Sequence, residues 1–466
     1  MSKQCYITVR DETFCYVTGL APCDNDFLWN KFGIHVDGYF FTPQYKLGRW
    51  DGKIRFFEKT GKTFLRILDS IIPYLDKWDY DIVIQDERAP ITPPSEQITA
   101  DHFKEYGITL RPYQVEAINL ALEAGDGIFL MATGAGKTSV TAGICAMYSE
   151  AGFKTLTIVP SVDLVNQTAA WYRVCGLDTG EYCGDKKNIH HWNVVSTWQS
   201  LQNNPKILEG FHCIIVDECH GAKGDVLKKL INDNGKNAHF RFGVTGTLPT
   251  GEAEKMSVLS ALGNVRYTIS ARWLIDNGYL SEIEIEPIEI RQSSVEEEFP
   301  DFGSEKTFLS KSDERLDLIA DLICIKAEQF GNTLVLVNSV QMGERLQKKI
   351  KDSVFLYGAT ENSIRKENYD EFEEQDGVIK IATFGIASTG ISINRIFCLF
   401  LIDTGKSYIK VIQSVGRGLR RSGDKNFVHV VDLHSNLKWS KKHAKERLKY
   451  FKTAEYPVIK TQTIKL

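Results

Sequence analysis

Short apolar runs, each closed by a turn or a polar motif, recur along most of this chain. The first series is Gly127–Met131, Thr155–Val159, Asn193–Ser196, Cys213–Val216 and Phe242–Thr245. The second is Thr333–Val337, Val354–Tyr357, Val378–Thr383, Cys398–Ile402 and Phe427–Val431. A short run without polar alternation predicts a strand covered on both faces, and the helical patterns between runs supply the crossovers of a parallel sheet. In such sheets functional residues gather at the carboxyl ends of the strands. Two successive series predict two α/β domains in tandem rather than one very large sheet.

The chain before the first series reads differently. Aromatic and polar segments alternate there, and a Pro-rich polar stretch at 88–97 closes a small α/β unit. Between the two series, the segment at about 288–312 carries Glu296, Glu297 and Glu298 followed by Pro300, Asp301 and Gly303, which predicts a solvated connection. Residues 438–452 predict a basic amphipathic helix that either lines a nucleic-acid path or packs on the preceding domain. The expected boundaries are therefore 1–90, 91–285, 286–437 and 438–466.

Composition narrows the class without naming a function. With 466 residues, 43% hydrophobic and 25% charged, the chain exceeds one core and has the make-up of a folded protein. No apolar run reaches the length of a membrane span, and the first residues lack the layout of a secretory signal. The expected location is the cytoplasm (the host's, if the chain is phage-encoded), with no membrane partner. The 10 cysteines are scattered without a Cys-x-x-Cys pair, which argues for small buried apolar side chains over a zinc site or a disulfide framework. A net charge of −4 means that any nucleic-acid surface must be a local basic patch.

Candidate chemistry begins directly after the first strand of the first series. AlaThrGlyAlaGlyLysThr at 132–138 joins that strand to a helix. Glycines at 134 and 136 let backbone N–H groups approach phosphate oxygens, and the helix N-terminus adds positive potential. Lys137 would reach the β- and γ-phosphates and Thr138 would offer its hydroxyl to Mg²⁺. Thr133, Ala135 and Ser139 complete the cradle. Met131 stands where the general signature has its first glycine. Further on, Cys213–Val216 runs into Asp217, Glu218, Cys219 and His220. A strand ending in adjacent carboxylates suits Mg²⁺-dependent hydrolysis, with Asp217 on the metal through water and Glu218 deprotonating the attacking water. In QSVGRGLRR at 413–421, Gln413, Arg417 and Arg420 surround Gly416, and arginines fixed near such a turn can stabilise charge on a transferring phosphoryl group.

With these motifs in this order, the chain resembles the superfamily-two helicases from about residue 105 to about 435. Leu110 to Gln114 is similar to their adenine-reading element, which implies nucleotide contacts for Arg111 and Gln114. Residues 132–138 resemble the family's own P-loop, which lacks the first glycine, and Asp217 to His220 its DExH box. Thr245 and Thr247 resemble the element that couples hydrolysis to movement, a role the resemblance also implies for His220 and Gly390. Residues 383–390 and 413–421 resemble the fifth and sixth motifs, with Ser392 where the fifth commonly has Asp. The resemblance implies two RecA-like motor domains, ATP and Mg²⁺ as cofactors, and a tracked nucleic-acid strand. Pro160, Thr197 and Gln199 would meet that strand from the first motor domain, and Asn338, Ser339 and Thr383 from the second.

Within the superfamily the chain resembles the phage branch-migration helicases of the UvsW type, through residues 37–43 and 48–55. That likeness implies a DNA-binding role for residues 1–90 and a branched or forked DNA substrate, with RNA–DNA hybrids as a further one. Independently of family, Lys46, Arg49, Lys53 and Arg55 lie among Tyr39, Phe40, Phe41, Tyr45, Trp50, Phe56 and Phe57. Such a mixture can neutralise phosphates and stack on bases, or it can be a small domain's core. The implied activity is an ATP-dependent DNA helicase or translocase that remodels branched DNA in recombination, repair or replication. An RNA helicase of the DExH type and the motor subunit of a restriction system are the alternatives.

Overall fold

Alternation builds the first sheet. In the computed structural model, which describes residues 3–221, 228–292, 299–385, 395–405 and 426–466, Cys5, Ile7, Val9, Cys15 and Val17 all face inward from strands Lys3–Val9 and Phe14–Thr18. They share a core with Leu28 of helix Pro22–Lys31 and with Ile71 and Leu75 of helix Leu68–Lys77. Four strands lie in the order Lys62–Phe64, Phe14–Thr18, Lys3–Val9, Tyr80–Asp86, and only the last pairing is parallel.

Continuous burial builds the next two sheets. The first has eight strands in the order Lys186–Lys187, Thr179–Cys183, Asn193–Thr197, Thr155–Val159, Cys213–Asp217, Phe240–Thr245, Asp126–Met131, Val265–Ile269. Its pairings from Thr179–Cys183 to Asp126–Met131 are parallel, so Pro160, Asp217, Thr245 and the 132–138 loop follow the same ends of their strands. The second sheet runs Val354–Leu356, Ile379–Thr383, Thr333–Val337, Cys398–Ile402, Phe427–Ser435, Glu282–Arg291, Gln462–Lys465, with parallel pairings throughout. By contacts the chain divides into two units, Met1–Met131 with Gly136–Thr268, and Ala132–Ala135 with Ile269–Leu466.

Every apolar run expected as a strand is one, with ends moved by a few residues. The segment at 288–312 differs from expectation. Its first residues complete strand Glu282–Arg291, and its last form helix Phe302–Lys311, capped by Asp301. The boundary expected at 285/286 therefore falls inside a strand. EIEIEPIEIR reads as half-solvated because its glutamates alternate with apolar residues, yet Glu286 is buried and paired with Lys326 at 2.7 Å and His429 at 2.6 Å. The basic helix Lys438–Thr453 packs through Ser440, His443, Ala444, Arg447 and Phe451 and turns Lys441, Lys442 and Lys445 outward. Arg447 is fully buried and paired with Asp432 of the second sheet at 2.9 Å, and strand Gln462–Lys465 joins that sheet's edge. Residues 438–466 are thus part of the second sheet's domain.

The N-terminal domain is fastened to the first large sheet by buried polar contacts. Glu12 takes hydrogen bonds from Arg88 and His239, both at 2.7 Å. Arg66 donates to the His239 carbonyl at 3.0 Å and faces Asp126 at 3.6 Å. The Thr13 hydroxyl donates to the Asn232 carbonyl at 2.9 Å and accepts from Arg241 at 3.1 Å. A cavity of about 840 Å³ lies alongside, lined by Arg66, Arg88, Asp126, His239 and Arg266 beneath the 88–93 segment. Among the described residues, no helix is long and apolar enough to cross a membrane.

Candidate nucleotide site

The phosphate-binding loop follows strand Asp126–Met131 and opens helix Lys137–Glu150. Gly134 and Gly136 take positive φ, 87° and 77°, a region that other residues enter only at a cost. Gly136 is required twice over, because a Cβ there would collide with the amide nitrogen of Gln114. Gln114 is buried in helix Pro112–Ala124, and its amide oxygen accepts from the Arg111 N–H at 2.9 Å. In this conformation Gln114 buttresses the loop. Arg111 reaches sideways to the Tyr113 hydroxyl at 2.9 Å. Ala135 is fully buried, whereas Thr133, Gly134, Thr138 and Ser139 are half-exposed around the loop.

Asp217 ends a buried strand, and Glu218 beside it holds a left-handed φ of 48°. Such backbone strain gathers at sites where geometry matters more than comfort. Lys137 Nζ lies 3.0 Å from Glu218 Oε1. Thr245 Oγ1 stands 2.6 Å from His220 Nδ1, 3.3 Å from Glu218 Oε2 and 2.9 Å from the Thr247 carbonyl, and its single proton serves one of them at a time. The two carboxyls are driven apart. Burial, then the charge of Glu218, pushes Asp217 up to about 7. Burial also opposes ionisation of Glu218, but Lys137 and His220 outweigh it and hold that carboxyl well below the usual range.

No group of three or more His, Cys, Asp or Glu suited to a metal occurs among the described residues. A divalent ion here would need ligands from a nucleotide in addition to Asp217 and Thr138, which is how Mg²⁺ is usually held. The oxygen-only donor set fits Mg²⁺.

The expected strand contacts divide by geometry. Pro160 and Gln199 are exposed beyond the ends of adjacent parallel strands. Thr197 is buried, and its hydroxyl caps helix Trp198–Asn203 by accepting from the Ser200 N–H at 3.2 Å. In the second sheet, Val337 and Thr383 are register partners, which brings Thr383 beside Asn338 and Ser339. The Asn338 amide is occupied by the carbonyls of Ile402 and Asp403, and Ser339 caps helix Val340–Lys349. In the N-terminal domain Lys46 and Arg49 are exposed and Lys53 is half-buried, while Arg55 is paired with Asp51 and lies 4.2 Å over the Trp29 ring. Gly390, Gln413, Arg417 and Arg420 lie outside the described residues.

One constellation escaped the sequence reading. Arg241, fully buried in strand Phe240–Thr245, hydrogen-bonds only neutral acceptors: Thr13, Asn232, Gly235 and Ala238. An arginine inside an otherwise apolar run was the available signal.

Three family models match the chain. They are "Type III restriction enzyme, res subunit" at residues 107–250, "DNA helicase UvsW, N-terminal" at 7–85, and "Helicase conserved C-terminal domain" at 314–422. The two RecA-like domains, the P-loop, the DExH sequence and the matched models are those of an ATP-dependent helicase, and the chain is similar to superfamily two. More narrowly, it is similar to the ATP-dependent DNA helicase uvsW of Enterobacteria phage T4, 27% identical over 448 residues, 90% of this chain and 88% of the relative. It is also 26% identical to a putative DNA 3'-5' helicase Rad25 of Haloarcula marismortui, over 69% of this chain but only 52% of that protein. Among solved structures, T4 UvsW aligns over 99% of both chains at 21% identity with a TM-score of 0.50. A fragment of a putative HsdR subunit of a type I restriction enzyme from Vibrio vulnificus aligns over 76% of this chain and 68% of its own at 21% identity and 0.58. At those identities the structures speak for the fold alone.

Proposed function

We propose that the chain is a DNA helicase or translocase that remodels branched DNA by junction migration, fork reversal and removal of displaced strands or hybrids, in recombination, repair or replication. The observation that carries this reading is the UvsW N-terminal match at 7–85 in the same chain as both motor domains.

The residue roles in this reading draw on the contacts of the nucleotide site and, for residues outside those described, on the resemblance of their motifs. Backbone N–H groups of 133–138 surround the β- and γ-phosphates of ATP, and Lys137 neutralises them. Thr138 and Asp217 would hold Mg²⁺, partly through water, and the ion would supply charge that offsets the phosphates. In the structure Lys137 is paired with Glu218. Phosphate draws Lys137 away, the Glu218 carboxylate loses its strongest stabilising charge, and it becomes a better base for the attacking water. Thr245 and His220 touch that carboxylate and report its state to Thr247. Gln413, Arg417 and Arg420 are assigned to transition-state charge, Gly390 to coupling, and Gln114 to the adenine. Alternation between bound states steps the motor along one strand, held by Pro160, Gln199, Ser339 and Thr383 chiefly through phosphates. Lys46, Arg49, Lys53 and Arg55 are assigned to the phosphates of the branch.

The restriction-motor reading draws on the family model at 107–250; co-purification with an endonuclease subunit would favour it. The deciding experiment compares ATP hydrolysis stimulated by four-way junctions, forks, single-stranded DNA and RNA. Branched DNA is expected to stimulate most, and stimulation by RNA alone would overturn the proposal.

A further inference from the structure

The aromatic residues of the N-terminal domain separate into two groups. Phe56 and Phe57 are buried in its core, whereas Phe40 and Phe41 are 51% and 71% exposed. They sit on the tight turn Tyr39–Phe41, with ring centroids 4.3 Å apart. Tyr45 and Leu47 are exposed beside them. A single exposed apolar residue is ordinary, but a cluster of four marks an interaction site.

The turn is braced from behind. Tyr39 stacks on His35 at 4.3 Å and meets Tyr45 edge-on at 4.7 Å. The Thr42 hydroxyl donates to the Tyr39 carbonyl at 2.7 Å and accepts from the Tyr45 N–H at 3.4 Å. Gly52 leaves room for the Tyr39 ring, which a Cβ would strike. The base of the loop is tied to the first motor domain. Asp37 lies against Gly251, where an added Cβ would meet its carboxylate at 3.0 Å, and Met256 packs into the N-terminal core. Gly251 follows the end of strand Phe240–Thr245, the strand that carries Thr245. Lys46 and Arg49 follow the turn in sequence, exposed and without an ion-pair partner among the described residues.

We infer that Phe40 and Phe41 form a strand-parting wedge: unpaired bases at a DNA branch point stack on the two rings while Lys46 and Arg49 take the adjoining phosphates. This rests on the branched-DNA reading above. Two exposed rings on a hydrogen-bonded turn, with exposed cations on the residues that follow, suit bases joined by phosphates of any sequence.

The test uses the full chain on a forked duplex with a fluorescent base analogue at the branch point, and reads base pairs opened per ATP hydrolysed. In Phe40→Ala/Phe41→Ala this ratio is expected to fall about tenfold, the scale of losing a stacked base, with loss of the fluorescence change at the branch. Phe40→Trp/Phe41→Trp keeps two stacking surfaces and should keep the wild-type ratio. An Ala pair with the wild-type ratio overturns the wedge, as does a Trp pair that fails like the Ala pair. If the wild-type chain itself hydrolyses no ATP in response to DNA, the functional reading falls first.

Discussion

Glu218, the proposed catalytic base, also carries backbone strain. Its left-handed backbone, its pairing with Lys137 and its contacts with His220 and Thr245 converge on one carboxylate. Replacing it by Gln keeps the shape and removes the base. Steady-state ATP hydrolysis by Glu218→Gln is expected to fall at least about 100-fold with nucleotide binding retained. Lys137→Ala should instead weaken ATP binding itself, measurable by titration with a labelled nucleotide, because phosphate charge is then unopposed. Thr245 belongs to a different step: Thr245→Val removes the hydroxyl between His220 and Thr247, so unwinding should drop more than hydrolysis. Equal loss of both would assign Thr245 to the chemistry instead.

At the scale of elements, one strand serves two masters. Phe240–Thr245 ends at the nucleotide site and begins at Arg241, whose buried guanidinium binds Thr13 of the N-terminal domain. Nearby, Glu12 answers Arg66, Arg88 and His239. Removing one partner of a buried network leaves charge uncompensated, so Glu12→Ala should cost about 3–5 kcal/mol in urea unfolding. A cost below about 1 kcal/mol would mean the interface is wetter than drawn. Truncation before residue 90 has the same consequence in larger form. It uncovers Arg241 and Met256, and the remaining motor should melt earlier and aggregate, so activity of such a fragment has to be read beside its melting temperature.

Across the molecule, stability should depend on pH through buried groups of opposite kind. Burial lowers His434 below its ordinary 6.5, so the unfolded chain takes up the proton first and stability declines as pH falls from about 6.5. Glu286 is held below its ordinary 4.5 by Lys326 and His429 against the penalty of burial, so its contribution is present above that value and lost as pH drops through it. Thermal melts from pH 8 to about pH 2 should therefore fall in two stages, one below about 6.5 and one below about 4.5, and His434→Gln should flatten the first.

What the sequence determined by itself was local. Short apolar runs closed by turns favour strands covered on both faces, and motifs closing those runs then fall at the strands' carboxyl ends, so the two sheets and the grouping of Lys137, Asp217, Glu218 and Thr245 were legible. Only tertiary structure decided the remainder, because it turned on which surfaces meet. The segment from about 288 reads as a solvated connection until its first residues are found completing the buried strand Glu282–Arg291. Arg241 reads as an interruption until Thr13 arrives from more than 200 residues away. That the Thr197 and Ser339 hydroxyls cap helices and the Asn338 amide binds carbonyls is likewise visible only once the chain has folded. The aromatics at 39–57 were ambiguous between core and surface for the same reason. Burial is a property of neighbours, and it sent Phe56 and Phe57 inward and left Phe40 and Phe41 facing water.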